Sequence, residues 1–365
     1  MLKLLFSLIV FIHSLIHLIG FIKGFKPELV TQISSNISKI SASFWLIAAI
    51  GFLVSLFLFI QGNNIWWSLA VLSLVISQIL IISCWNDAKF GTILNAIVLI
   101  VAVFGYGQWQ FDKKVEDEKE EFFAQIKADN KEQTVLTEEM TANLPDAVNK
   151  WLRKSNVFGK KISSSISLKQ TGQMRTSTEG MWMKVEAEQL FKAYKPEFIW
   201  TADVSVINGI YIAGRDKLIE GNGNMLIKLL SVFPIADSKG YEINQGTLLR
   251  YLAEIVWFPT TAVSDFINWE EVDSLSAKAT LTHNNISVSG IFRFNAAGDV
   301  VSFEAKRYYE KDGKSTLEDW LVTNSADGYK EFSGIRIPSK SAVTWKLKSG
   351  NFTWFTLEIK DIIYN

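Results

Sequence analysis

Residues 90–130 read FGTILNAIVLIVAVFGYGQWQFDKKVEDEKEEFFAQIKADN, and the chain changes character in the middle of this stretch. The first half is an apolar run that ends at Trp109, and the second half is dense in charges. Every arginine lies between Arg153 and Arg336. Up to Phe111 the charged side chains are few: Lys3, Lys23, Lys26, Glu28, Lys39, Asp87 and Lys89. We therefore predict a lipid-soluble N-terminal part and a water-soluble C-terminal part.

The N-terminal part contains four runs that are long enough to cross a membrane. A spanning helix needs about 20 apolar residues, because about 30 Å of hydrocarbon is crossed at about 1.5 Å per residue. Tryptophans, which favour the headgroup layer, lie at the ends of these runs. We predict a transmembrane helical domain over residues 1–111, with spans at about 4–22, 44–60, 65–85 and 90–109.

A stripe of unusual residues marks the first span. His13, His17, Gly20 and Gly24 follow one another at helical spacing, so they share one face. Two histidines one turn apart can hold a metal or haem, and ionisable groups at membrane depth are functional candidates. The structural interpretation, which we favour, is that glycines admit a neighbouring helix and the imidazoles donate hydrogen bonds across the contact. This stripe also makes helix-mediated association with other membrane proteins an open alternative.

The C-terminal part shows the alternation of half-buried strands. Residues 112–160 are predicted to be a helical connector, and residues 161–365 an antiparallel β-rich domain of about ten strands. The stretch Ile286–Phe294 is typical of it. One helix, Gln245–Trp257, interrupts the pattern, and Pro259 stops it. The predicted fold class is α+β: a four-helix transmembrane bundle followed by a large curved sheet, a half-barrel that covers this helix.

Composition excludes several kinds of site. The 37 basic and 37 acidic residues leave no excess charge for nucleic acid. A single cysteine, Cys84, allows neither an internal disulfide nor a cysteine zinc site. One histidine, His283, lies in the C-terminal part, so we expect no histidine-rich metal site. The segment Gly221–Met225 lacks the Lys-Ser/Thr ending of a phosphate loop and is predicted to be a tight turn. We expect no cofactor.

Several motifs in the C-terminal part are specific. They are Arg250–Glu254 (RYLAE), Trp257–Thr260 (WFPT), Gly214–Asp216 (GRD) and Gly221–Met225 (GNGNM). Together they resemble a bacterial membrane-associated family of unknown function, DUF6544, over roughly residues 140–365. The resemblance supplies no activity. At fold level the order of strands is similar to that of periplasmic lipoprotein carriers, whose half-barrels hold acyl chains; this is analogy alone.

The motifs supply the candidate ligand-binding residues. They are Arg215, Asp216, Arg250, Glu254, Trp257 and Arg307. Arg250 and Glu254 are four residues apart on a helix, so they can pair. If they face a trough, an arginine can grip a phosphate or carboxylate, and Trp257 would belong to the wall. Alternatively, Asp216 and Glu254 form a general acid/base pair, or the set is a buried ion-pair network that fixes helix to sheet.

The favoured hypothesis is a non-catalytic membrane protein whose β domain binds an apolar or lipid-like ligand. The alternatives are a membrane-tethered, hydrolase-like enzyme using Asp216 and Glu254, and a structural or partner-binding membrane module. The expected location is the bacterial inner membrane. Lysines near the span ends are equally divided between the two sides, so the positive-inside rule does not fix the orientation. On the carrier analogy we expect the β domain outside the cytoplasm.

Overall fold

The computed structural model of the protein describes residues 2–129, 134–207, 209–311 and 313–365. The predicted connector, 112–160, therefore includes residues 130–133, which lie outside the described ones. The chain forms two compact units. The first comprises Met1–Glu116 with Asn208–Ile210 and Leu230–Phe233, and the second comprises Asp117–Ile207, Tyr211–Leu229 and Pro234–Asn365.

Helices make up most of the first unit. They are α1 (Leu2–Phe25), α2 (Lys39–Ile60), α3 (Trp66–Ser83), the short α4 (Trp85–Ala88) and α5 (Gly91–Ala128). Four of the described helices, α1, α2, α3 and α5, are long and apolar enough to cross a membrane. α5 has 38 residues and contains both the fourth apolar run and the charged run after it.

Glycines set how closely α1 and α2 approach each other. A Cβ atom at Gly20 would overlap the ring of Trp45, and one at Gly24 would overlap the side chain of Ala42. Both neighbours are on α2 of the same chain. The two glycines of the predicted stripe thus serve a helix contact within the molecule.

The second unit is built mainly from strands. They are β1 (Ser165–Met174), β2 (Met183–Lys192), β3 (Glu197–Ile207), β4 (Ile210–Ile219), β5 (Asn222–Leu229), β6 (Phe233–Lys239), β7 (Ile267–Asp273), β8 (Ser276–His283), β9 (Ile286–Phe294), β10 (Val300–Lys311), β11 (Lys314–Asn324), β12 (Tyr329–Phe332), β13 (Ile335–Pro338), β14 (Lys340–Leu347) and β15 (Gly350–Tyr364). Two further helices are α6 (Asp146–Lys154) and α7 (Tyr241–Glu254).

Thirteen of the described strands form one sheet, in the order β6-β5-β4-β3-β2-β1-β15-β14-β11-β10-β9-β8-β7. Nearly all neighbours in this sheet are neighbours in sequence, which is the antiparallel arrangement that we predicted. Register shifts interrupt the pairing of β1 with β15, of β14 with β15 and of β9 with β10. Such bulges bend strands and increase twist, and the sheet curls into a half-barrel. The predicted fold class is confirmed.

Helix α7 lies against the concave face, where it contacts β5, β8, β9 and β10. It begins at Tyr241, not at Gln245 as the apolar periodicity indicated, because its first turn is polar and Gly240 starts it with a positive φ of 107°. Leu248, Leu249 and Leu252 bury one side of it in the main core. After Glu254 the chain continues as short 3₁₀ turns over Ile255–Trp257 and Pro259–Val263.

The second half of α5 covers the outer face of β2 and β3. Phe122 packs there against Leu190 and Ile199. Beneath this helix, Lys192 and Glu197 form an ion pair of 2.6 Å, and both side chains are almost completely buried. The sheet is thus covered on both sides at β2 and β3, which lets these strands carry apolar residues on both faces.

We expect Gly20→Ile to weaken the packing of α1 on α2, because the new side chain must displace the Trp45 ring. The free energy of unfolding of the full chain in detergent should fall by about 1–3 kcal/mol, the usual cost of overpacking. Thermal denaturation measures it. Ser43→Ile on α2 adds similar bulk at an exposed position and is the matched control. Equal melting temperatures for the two variants would contradict the close contact.

Candidate functional site

The concave face carries a buried cluster of polar side chains around Arg250 of α7. Nη1 of Arg250 donates to Oδ2 of Asp216 on β4 at 2.8 Å. Nε of Arg250 donates to Oε1 of Glu254, one turn further along α7, also at 2.8 Å. One guanidinium therefore holds two carboxylates and ties the helix to the strand.

Two glutamines extend these contacts across β1 and β2. Nε2 of Gln189 donates to Oε2 of Glu254 at 2.8 Å, and Nη2 of Arg250 donates to Oε1 of Gln189 at 3.3 Å. Nε2 of Gln170 donates to the same Gln189 oxygen at 3.2 Å. Gln170, Gln189, Asp216, Arg250 and Glu254 are called the inner polar cluster below.

Sequence reasoning missed the two glutamines, although a signal for Gln189 is present. It stands between Ala187 and Phe191 in the alternation of β2, at a position that period two assigns to the buried face. An amide at such a position needs a partner inside the protein, because a buried polar group without a hydrogen bond is costly.

Burial and neighbouring charges shift the pKa values of the inner polar cluster in opposite directions. Burial raises the pKa of Asp216 and of Glu254, and their contacts with Arg250 only partly offset this rise. Burial acts to lower the pKa of Arg250, but Glu254 and Asp216 outweigh it and raise that pKa. The guanidinium also lies over the rings of Phe198, at 5.1 Å, and Trp200, at 4.8 Å. Arg250 is thus a fixed cation whose hydrogen bonds are used within the protein.

A second inward arginine, Arg307 on β10, is placed differently. Its guanidinium lies 4.8 Å from the ring centre of Trp320 and 5.9 Å from that of Trp345. On its other side is Gly246 of α7, where a Cβ atom would lie 3.3 Å from Nε of Arg307. Burial lowers the pKa of Arg307 to about 10, and Asp216 acts against this, so the side chain is positively charged at neutral pH.

Next to the inner polar cluster, the side chains of the concave face are not all equally buried. At one end of β1–β5 the inward side chains Ile166, Phe191, Phe198 and Leu218 are fully buried. Towards the other end, several inward apolar side chains stay partly exposed, although Val185 and Val204 between them are buried. We call the surface formed by six of the partly exposed side chains the trough: Met174, Met183, Trp200, Ile212, Met225 and Ile227.

Arg215 faces away from this site. Neighbouring residues of a strand point to opposite faces, so Arg215 lies on the outer face while Asp216 points inward. Nε of Arg215 pairs with Oε2 of Glu118 on α5 at 2.9 Å, and Nη1 donates to the carbonyl of Asn224 at 2.8 Å. Lys217 pairs with the same glutamate at 3.0 Å.

Trp257 also lies apart from the inner polar cluster. Its side chain is buried in the main core, and its carbonyl accepts a hydrogen bond from the hydroxyl of Tyr364 at 2.7 Å. The structure therefore brings four of the six predicted residues to the concave face, Asp216, Arg250, Glu254 and Arg307, and places Arg215 and Trp257 elsewhere.

The GNGNM segment forms a turn and a helix contact. Glu220 and Gly221 have positive φ angles, of 50° and 75°, and link β4 to β5. A Cβ atom at Gly223 would lie 2.9 Å from the carbonyl oxygen of Ile243, so this glycine lets α7 approach the sheet. Its N–H donates to Oδ1 of Asn244 at 2.7 Å.

A groove of about 720 Å³ lies on the outer face of the sheet, between β2 and β11. Its lining contains side chains of both charges, with Lys184, Glu186, Lys340 and Glu358 among its residues. Opposite charges alternate there, so no single ligand charge is favoured.

The sequence profile of a family of unknown function, DUF6544, matches residues 134–357 of the chain. The chain belongs to this family. The family expected from the motifs is thus confirmed, and the match contains the inner polar cluster, Arg307 and the trough. No curated protein gives a significant match to this DUF6544 chain.

Two solved structures are similar to parts of this DUF6544 protein. One is a domain described as an outer membrane lipoprotein-sorting protein from Vibrio parahaemolyticus, with 12% identity, 55% of this chain and 86% of that chain covered, and a TM-score of 0.32. The other is a DUF1329 family protein from Desulfovibrio piger, with 10% identity, 60% and 92% covered, and a TM-score of 0.33.

The histidines of the predicted stripe in this DUF6544 protein belong to a separate network in the first unit. A ring nitrogen of His13 lies 2.8 Å from Oδ1 of Asn95 on α5, and one of His17 lies 2.8 Å from Oγ of Ser77 on α3. Asn95 also bonds to Ser77, at 3.0 Å. Among the described residues, no group of three or more His, Cys, Asp or Glu side chains is arranged to hold a metal ion.

Replacing Arg250 by methionine should destabilise this DUF6544 protein by about 3–5 kcal/mol, because it leaves the buried carboxylates of Asp216 and Glu254 without their cation. Chemical denaturation of the full chain, followed by far-UV circular dichroism, measures the change.

The matched control is Lys306→Met on β10, which breaks the exposed 2.8 Å ion pair with Asp319. An exposed pair contributes less than about 1 kcal/mol. If both variants lost the same small amount of stability, the inner polar cluster would not be holding α7 to the sheet.

Proposed function

We propose that the second unit binds an apolar or lipid-like ligand in the trough, while the four apolar helices hold the chain in a bacterial membrane. The observation that carries the proposal is the partial exposure of inward apolar side chains on a face where others, such as Phe191 and Leu218, are fully buried. A concave, mostly apolar surface with a few polar groups beside it is the usual form of a small-ligand site.

The chemistry of the trough suits a flexible chain. Met174, Met183 and Met225 are unbranched, polarisable side chains that adapt to ligands of different shape. Trp200 adds a flat wall, and it is already stacked on Arg250 of the inner polar cluster. An acyl chain laid on these residues would remove apolar surface from water at about 25 cal/mol per Å².

The hydrolase alternative has less support. A general acid or base must reach its substrate, whereas Asp216 and Glu254 both accept hydrogen bonds from Arg250 and are almost fully buried. The cluster is better suited to fixing the position of α7, and hence the shape of the trough.

The location of the protein follows from the same proposal. Four helices of sufficient length and apolarity support membrane insertion. That this membrane is the inner one, and that the second unit lies outside the cytoplasm, stay predictions from the sequence.

We expect Ile227→Asp to abolish ligand binding, because it places a carboxylate in the apolar trough. The test is photolabelling of the full chain in lipid nanodiscs with an uncharged long-chain alcohol that carries a diazirine and an alkyne. Peptides of β4 and β5 should be labelled in the wild type and about tenfold less in the variant. Labelled peptides from α1–α3 are the internal reference.

The control is Lys228→Asp on the same strand. Lys228 is the next residue along β5 and therefore points to the other face. Its replacement should leave labelling of β4 and β5 unchanged. Absence of labelling in the wild type, or equal labelling in the two variants, would contradict binding in the trough.

A further inference from the structure

The contacts of the Arg307 guanidinium differ from those of Arg250. Among the described residues, its guanidinium makes no hydrogen bond and no ion pair within 4.0 Å, although the side chain is only partly exposed. Arg250, by contrast, donates to Asp216, Glu254 and Gln189. A guanidinium has five N–H donors, and leaving them unused in a partly buried place is costly unless a ligand or water accepts them.

We propose that Arg307 binds the anionic head of an amphiphile, a carboxylate or phosphate monoester, whose apolar chain lies in the trough. This inference rests on the proposed function and adds the chemical class of the head group. Arg307 is a cation on the same concave face as the trough, and none of the described carboxylates accepts a hydrogen bond from it. Arginine recognises both oxyanions through two parallel N–H···O bonds.

The surroundings of Arg307 hold it ready for such a contact. The guanidinium of Arg307 lies over the rings of Trp320 and Trp345, and this cation–π attraction supports its position without using its N–H donors. Gly246 provides the space on the side of α7, since a Cβ atom there would press on Nε. A side chain that is already fixed loses little entropy when it binds.

Because Arg250 is engaged in the inner polar cluster, Arg307 is the arginine on this face that can bind an anionic ligand. Asp216 and Glu254 are close enough to Arg307 to act on its charge, but both hydrogen-bond to Arg250 instead. Asp216 lies opposite Met225 in the pairing of β4 with β5, so the cluster stands next to the trough. A head at Arg307 and a chain on Met225 and Ile227 would thus belong to one ligand.

The test uses three photoprobes with the same chain length and diazirine position: a fatty acid, an alkyl phosphate and the uncharged alcohol. They are compared by labelling of β4 and β5 peptides in the full chain in nanodiscs. The wild type should prefer the acid or the phosphate over the alcohol by about tenfold or more, as expected for a charge-assisted pair of hydrogen bonds. The charged probe that labels more strongly identifies the head group as a carboxylate or a phosphate.

Arg307→Met should remove this preference while labelling by the alcohol persists, which shows that the trough is intact. Arg307→Lys retains a positive charge and should keep part of the preference. Equal labelling of the wild type by all three probes would overturn the inference and leave the proposed function standing. An anion preference that survives Arg307→Met would also overturn it. Labelling by none of the probes would overturn both.

Discussion

The guanidinium of Arg250 holds α7 against the inside of the sheet. It reaches one carboxylate on its own helix and one on β4, and through Gln189 it reaches β2. The buried carboxylates of Asp216 and Glu254 have lost their hydration, so they need the positive charge of Arg250 for stabilisation. The buried guanidinium needs the two carboxylates for the same reason. This mutual requirement fixes the rotation of α7, and therefore which of its residues face the core and which face the trough.

Strand β4 contacts a helix on each of the two faces of the sheet. Its neighbouring residues Arg215 and Asp216 point to opposite sides, the first to Glu118 on α5 and the second to Arg250 on α7. The helix that continues the fourth apolar run and the helix inside the half-barrel are thus both tied to one strand. A shift of either helix has to be accommodated at this pair of residues.

The inward side chains of the sheet are not buried equally along the concave face. At one end of β1–β5 the core is complete, whereas Met174, Met183, Ile212 and Ile227 remain partly exposed near the other. Exposed apolar patches often mark ligand or interaction sites, and this observation supports the proposed function. On the same face, Arg307 lies over two tryptophan rings and makes no hydrogen bond or ion pair with the described residues, so it can bind an anionic head group as proposed.

The amino-acid pattern alone was sufficient for the α+β architecture, the four apolar helices, the antiparallel sheet and the family. These follow from local periodicity, since an apolar run or a period-two alternation is written in consecutive residues. The predicted count of about ten strands is lower than the fifteen strands of the described residues. The sequence identified the arginines and carboxylates as candidate site residues, but it did not show which arginine pairs with which carboxylate. Only the tertiary structure shows that Arg215 pairs with Glu118 on the outer face, that Arg250 binds two carboxylates, and that Arg307 forms an ion pair with none of the described carboxylates. Such partners lie far apart in sequence, and strand register and helix rotation, which no local pattern encodes, decide which of them meet.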